Sequence, residues 1–417
     1  MWTQPKTNAL AASIDNAANP VEASRVLAMQ SVAVYDVIAA IDGTAPFLVD
    51  ETAATDASLA AAIAQASADI LKHEFPGFAD DIEAFLKDSL DDVADGVSED
   101  RGVALGRAVA DAIIAIREAD GYKDFATYEG GTEAGEWRPT GPAFNVAVDP
   151  QAATMTPWAL SSADQLRADG PFDLTSEDYA KALAEVRDIG ARESTTRTAD
   201  QSLAARFWLD GLGTETTPGH FNSIATDLLG ADGSGIGESA RLLATLNVAM
   251  SDAMIAAWDT KYAYGFWRPS TAIRNADIDG NEATVADPDW VPFLIDPAHP
   301  EYVSGHGAAA GAAAEVLTEL LGERGFTTSS LGVPGVERSF DNFWEAATEN
   351  ANSRLWGGVH YTFSNMEGLE LGAEAAQQAL GAFARGAATA PPVIVVDASV
   401  AFESELPFVV EGAMIDA

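Results

Sequence analysis

The chain has 417 residues, enough for one large or two ordinary domains with a sizeable core. Its 64 acidic against 23 basic residues give a net charge of −41, which argues against the basic face that a nucleic-acid partner needs. With 47% hydrophobic residues the composition is that of a folded protein with an acidic shell, as in halophiles, and zero cysteines exclude disulfides and thiolate sites.

No run reaches the ~20 apolar residues of a membrane span, so none is expected. The start, Met1-Trp-Thr-Gln-Pro-Lys6, lacks a charged residue followed by an apolar stretch, so no signal peptide is read in this chain. The compartment stays open, export after signal removal included.

Helices are expected along most of the chain. Asn19 caps and Pro20 opens the first, and Leu27, Val34, Ile38 and Ile41 share one face of it. A second is expected over 58–75, stopped by Pro76, and a third over 78–93. A fourth begins at Ser98, carries Glu99 and Asp100 in its first turn, and runs to about Ala119. Residues 1–120 thus read as an N-terminal helical half without visible chemistry.

Residues 121–175 have no helical period and hold Trp137, Pro139, Pro142, Pro150 and Pro157. This irregular crossover either shapes a substrate entrance or simply wraps the core. Residues 176–386 read as a C-terminal helical half, with helices over 176–189, 197–208, 221–229, 238–262, 304–321, 341–350 and 364–383. Leu242, Leu246, Met250, Met254 and Trp258 line one face of the longest, and Lys261 falls near its end. The alanines at 308–310 and 312–314 permit close packing of the next helix. Residues 387–417, with Pro391, Pro392 and Val393-Ile-Val-Val396, read as an extended tail. The class is all-α, read as one compact domain.

Three blocks concentrate chemistry: Lys261-Tyr-Ala-Tyr-Gly-Phe-Trp-Arg268-Pro269, His299-Pro-Glu-Tyr-Val-Ser304-Gly305-His306, and Ser353-Arg354-Leu-Trp-Gly-Gly-Val-His360. Lys261 and Arg268 lie seven apart, two turns if the helix continues, and Pro269 is read as ending that segment. Arg354 offers a planar fork for two oxygens. Ser304 offers a hydroxyl and Gly305 an unobstructed amide at a helix start, where an anion is favoured. His360 can bond a central atom as ligand or nucleophile, and His306 can carry a proton. Any one of these alone is more simply a surface ion pair or a structural histidine. Three of the chain's five histidines fall in the blocks that hold the cations, and as a set they suit a tetrahedral oxyanion.

The pattern Lys, six residues, Arg-Pro; Ser-Gly-His; Ser-Arg, five residues, His resembles the three-part signature of the vanadium-dependent haloperoxidases and the type 2 phosphatidic acid phosphatase superfamily. The bacterial and archaeal haloperoxidase-like branch is the most similar. The likeness covers about 206–372, including Phe207-Trp208, Thr217-Pro-Gly-His220-Phe-Asn222 and Ser364-Asn365. A weaker one lies in Glu22–Met29 and Tyr35-Asp36.

The resemblance implies two four-helix-bundle-like halves. It implies that Lys261, Arg268 and Arg354 hold the anion's oxygens and that Ser304 and Gly305 donate to it. His360 would be the apical vanadate ligand, hence the metal ligand, or the phosphatase nucleophile, and His306 the acid–base. Val303 departs from the family's usual Pro, which is expected to loosen the turn before Ser304.

Vanadate and phosphate share charge and shape, so the cage does not choose between them. Trp258 and His299 occupy places where similar haloperoxidases have an aromatic and a His or Phe, although either residue can be plain core or loop. The expectation is a haloperoxidase that holds vanadate and oxidises halide, bromide or iodide favoured, with hydrogen peroxide. The alternatives are an acid phosphatase acting on a phosphate ester through a phosphohistidine at His360, and a non-catalytic anion-binding helical protein. A homo-oligomer is one option for assembly.

Overall fold

The computed structural model describes residues 18–385; the expected extended tail lies outside them. In chain order the helices are α1 (Pro20–Asp42), α2 (Leu59–Glu74), α3 (Ala79–Asp91), α4 (Val97–Glu118), α5 (Glu177–Ile189), α6 (Ala199–Phe207), α7 (Thr216–Asp232), α8 (Ile236–Tyr264), α9 (Pro269–Arg274), α10 (Gly305–Leu321), α11 (Phe343–Trp356) and α12 (Thr362–Arg385). A two-stranded antiparallel hairpin, β1 (Phe326–Ser329) with β2 (Glu337–Phe340), pairs Phe326 opposite Phe340. Among the described residues the protein is all-α apart from this hairpin.

Local chemistry sets many of the starts. The Asn19 side chain accepts from the Val21 and Glu22 amides, and Pro20 follows at the first helical position. Ser58 caps α2, Ser176 caps α5, and Thr198 with Gln201 forms a capping box on α6. The fourth helix starts at Val97, not Ser98. Gly96, at φ +135°, is the residue before it, and the Ser98 hydroxyl donates to the Asp56 carbonyl instead of capping.

Other departures have physical causes. α7 starts at Thr216 rather than at Phe221, because Pro218 sits in the first turn, where a missing N–H costs nothing. Pro269 opens α9 instead of ending a segment, for the same reason. α8 stops at Tyr264, where Gly265 takes the left-handed conformation at φ +57° and its N–H bonds the Lys261 carbonyl. Arg268 is therefore not two turns along one helix from Lys261.

α8 is the axis of the molecule: α1, α10 and α12 all pack on it, and α2 pairs with α4 beyond α1. One continuous apolar core runs from Val21 in α1 through α8 to Phe383 in α12. A smaller cluster, including Val26, Leu71 and Ile82, joins α1, α2 and α3. By length and composition α1 and α8 could each cross a bilayer, yet most of both is buried in this core.

The tightest helix pair, α10 against α12, carries the Ser304–His306 segment at one end. A Cβ at Gly311 would collide with the Leu369 backbone carbonyl, and one at Gly368 would lie 2.6 Å from the Ser304 carbonyl. In a helix interior Gly→Ala ordinarily gains about 1 kcal/mol. Here the sign reverses: Gly311→Ala is expected to destabilise by about 1–3 kcal/mol, because the helices must separate. The denaturant midpoint measures it, and an unchanged or raised midpoint would refute this account of the packing.

Candidate oxyanion site

The crossover, residues 121–175, holds only two short 3-10 turns, Pro150–Thr154 and Ala163–Leu166. It braces two of the three sequence blocks. The Trp137 amide donates to the Gly265 carbonyl at 2.7 Å and the Trp267 amide to the Gly135 carbonyl at 2.9 Å, which pins the reversal between α8 and Arg268. The Val148 amide donates to the Ala298 carbonyl at 2.8 Å, beside His299. The Val148 carbonyl in turn accepts from the Trp258 indole at 3.4 Å and the Tyr262 hydroxyl at 2.6 Å.

Lys261 is fully buried near the end of α8. Its ammonium donates to the carbonyls of Pro300 (3.1 Å), Glu301 (3.0 Å) and Val303, so it clamps the segment that leads into α10. Burial, then the Arg268 charge, pushes its pKa well down. The nitrogen also lies 5.7 Å from the Trp258 ring centre, a cation–π distance. The same ring would meet a Cβ at Gly305 at 3.1 Å, so only glycine lets α10 begin there without displacing Trp258.

Arg268 precedes α9 and is fully buried. Its Nε donates to the His299 carbonyl and its Nη1 to the Val359 carbonyl, both at 2.9 Å. Nη1 also lies 3.2 Å from His360 Nε2, and Nη2 lies 2.9 Å from His299 Nδ1. A guanidinium has no acceptor, so His360 Nε2 must present a lone pair. That assigns His360 its proton on Nδ1, whereas His299 Nδ1 faces both this donor and, at 3.1 Å, the Pro300 carbonyl acceptor. His360 Nδ1 reaches Glu301 Oε1 at 2.8 Å. Burial first, then Arg268, Lys261 and Arg354, holds His360 well below the usual imidazole range, hence neutral.

Arg354, at 2% exposure, presents the clearest signal. Its Nε and Nη1 are buried and have no hydrogen-bond partner. Burial, then Arg268, lowers its pKa to about 10, so it remains a cation near neutral pH. Buried charged donors with nothing to donate to are costly, and an oxyanion supplies what they lack. Ser304 caps α10, its Oγ accepting from the Gly307 amide at 3.3 Å, which leaves the hydroxyl proton to donate. The first N–H groups of a helix have no partners within it, so α10 also presents free amides.

His299 and His306 are only partly buried, unlike His360. His299 packs on Trp258 with ring centres 4.9 Å apart. His306 Nε2 lies 3.3 Å from the Leu209 carbonyl, which can only accept, so Nε2 carries the proton and Nδ1 the lone pair. Burial and Arg354 keep its pKa well down. A bound anion opposes the Arg354 effect and favours proton uptake at this ring.

The structure thus brings Trp258, Lys261, Arg268, His299, Ser304, Gly305, His306, Arg354 and His360 to one region. Val303 is buried there, and the Tyr302–Val303 peptide is cis. Three carboxylates escaped the sequence reading. Glu301 bonds His360. Asp296, buried, accepts from the Ser270 hydroxyl and faces Arg268 electrostatically. Asp210 lies 3.3 Å from the buried His220 and within electrostatic reach of Arg354. The one available signal was Glu301, the sole carboxylate between His299 and His306.

The core of this helical bundle gathers two guanidinium groups, an ammonium and a neutral imidazole around unfilled donors, a set whose chemistry suits an oxyanion. The model of the VCPO second helical-bundle domain matches residues 241–387. A solved structure, the first bacterial vanadium-dependent iodoperoxidase, is 30% identical, with 89% of this chain and 92% of that one aligned and a TM-score of 0.76. The chain belongs to the vanadium-dependent haloperoxidase family. The holo form of a bacterial vanadium-dependent chloroperoxidase shares the fold, with a TM-score of 0.71 at 18% identity over 88% of this chain and 93% of that one. The vanadium chloroperoxidase of Curvularia inaequalis is 26% identical over 273 residues, 51% of this chain; the match spans 44% of that curated relative's length.

Proposed function

We propose that this protein is a vanadium-dependent haloperoxidase, oxidising halide with hydrogen peroxide and favouring bromide or iodide over chloride. The observation that carries the reading is the Arg354 guanidinium, with two buried donors unfilled, within electrostatic reach of His360, whose Nε2 offers a lone pair. The donors call for a multiply charged anion, and the lone pair calls for an electrophilic central atom. Vanadate fits both. The relationship to an iodoperoxidase supports iodide among the halides.

In this reading Arg268 and Arg354 hold the anion's oxygens, Lys261 adds positive charge, and the Ser304 hydroxyl and Gly305 amide donate. His360 Nε2 is the metal ligand. When bound, vanadate supplies a Lewis acid that activates peroxide without changing oxidation state. His306 takes a proton at Nδ1 and returns it to a departing oxygen. Trp258 walls the pocket. His299, with Nδ1 beside Arg268 and the Pro300 carbonyl, turns its imidazole toward a substrate oxygen.

The deciding experiment assays halide oxidation and phosphate-ester hydrolysis with and without vanadate. Halide oxidation that depends on vanadate is expected. Ester hydrolysis without it, and no halide oxidation with it, would instead make the protein an acid phosphatase acting through His360. Neither activity would leave an anion-binding helical protein.

His299 gives a sharper prediction. His299→Phe removes the imidazole and with it one partner of Arg268, while Arg268 keeps its two carbonyls. The bromide-to-chloride rate ratio or the pH optimum is expected to shift, with vanadate affinity falling no more than about tenfold, the worth of one hydrogen bond. A variant matching wild type in both ratio and optimum would make His299 structural.

A further inference from the structure

We propose that Glu301 is the positioning residue that keeps His360 in the tautomer able to bind vanadium. The inference rests on the reading of His360 as the ligand. A metal-binding imidazole must be neutral and must direct a bare nitrogen at the metal, and its other nitrogen is ordinarily held by an acceptor. Here the holder is Glu301 Oε1, 2.8 Å from His360 Nδ1. The same oxygen accepts from the Tyr361 amide at 3.0 Å, so it fixes both the ring and the backbone one residue on. Glu301 is itself fully buried and anchored from behind, its own carbonyl accepting from Lys261 at 3.0 Å. A carboxylate is costly to bury, and a neutral residue would fill the same space in a purely structural role. Ser364 Oγ stands 3.4 Å from the same ring nitrogen, but a hydroxyl there can donate as readily as accept. Without Glu301 only the 3.2 Å contact from Arg268 Nη1 opposes a proton at Nε2, where it blocks the metal.

The test uses the full chain. Nitrogen-15 spectra of the histidine rings, simplified by there being only five, read the tautomer directly in the ligand-free protein. Dissociation constants for vanadate and for inorganic phosphate are then measured on wild type, Glu301→Gln and Glu301→Ala. The wild-type spectrum is expected to show the His360 proton on Nδ1. Glu301→Gln keeps an acceptor oxygen and is expected to retain vanadate within about threefold of wild type. Glu301→Ala is expected to lose about 10–100-fold in vanadate affinity, while phosphate, which makes no bond to the imidazole, stays within about threefold.

Three results would overturn the proposal: a wild-type proton on Nε2, vanadate binding in Glu301→Ala equal to wild type, or parallel loss of both anions, which marks a structural role. A Gln variant as weak as Ala would overturn it as well. If wild type itself does not retain vanadate, the functional reading fails, and the tautomer spectrum still decides what Glu301 does.

Discussion

His360→Ala is expected to lose vanadate by more than about a hundredfold, and with it halide oxidation. Groups that merely orient a metal-bound histidine cost about 10–100-fold when removed, so removing the ligand itself costs more. The variant leaves the cationic cage standing, because Arg268 keeps the His299 and Val359 carbonyls and Arg354 is untouched. Glu301 Oε1 keeps the Tyr361 amide. Phosphate is therefore expected to bind with much less loss than vanadate, which separates loss of a ligand from loss of the fold. Equilibrium dialysis of both anions, with the melting temperature recorded alongside, measures this. Wild-type-like vanadate retention in His360→Ala would sink the site assignment.

Raising salt from 0.1 M to the molar range is expected to raise the melting temperature by at least about 5 °C, because screening shortens from ~10 Å to ~3 Å. The cause is the net charge of −41, whose self-repulsion favours the expanded chain at low salt. Salt also weakens exposed ion pairs such as Lys87–Asp91 and Lys181–Glu177, but such pairs are each worth only about 0–1 kcal/mol. The buried network of Arg25 with Glu74 and Asp120, and of Arg117 with Asp120, is shielded from bulk ions. Loss of repulsion therefore wins. A melting temperature unchanged across that range would count decisively against the halophilic reading of the composition.

Helix positions were legible in the sequence because their causes are local. Apolar spacing along α1 and α8, and the caps at Asn19, Ser58, Ser176 and Ser304, act within a few residues. The residue types of the three blocks were legible too, since three cations, a hydroxyl, a glycine and three histidines state their chemistry without coordinates. The hairpin of Phe326–Ser329 with Glu337–Phe340 was not, because four-residue strands carry too little pattern and owe their place to packing against Phe343 and Trp208.

The placement of Arg268 was decided by tertiary structure. The helical period carries a side chain only as far as its helix runs, and α8 ends at Tyr264. Arg268 meets His299 and His360 because the crossover, more than a hundred residues earlier, pins the turn at Gly265. The Glu301–His360 bond spans fifty-nine residues of chain. No local spacing encodes such a contact, because it forms only when α10, α12 and the loop before each are folded against α8. The sequence by itself determined which groups the site contains, and the tertiary structure decided which nitrogen of His360 and of His306 carries the proton.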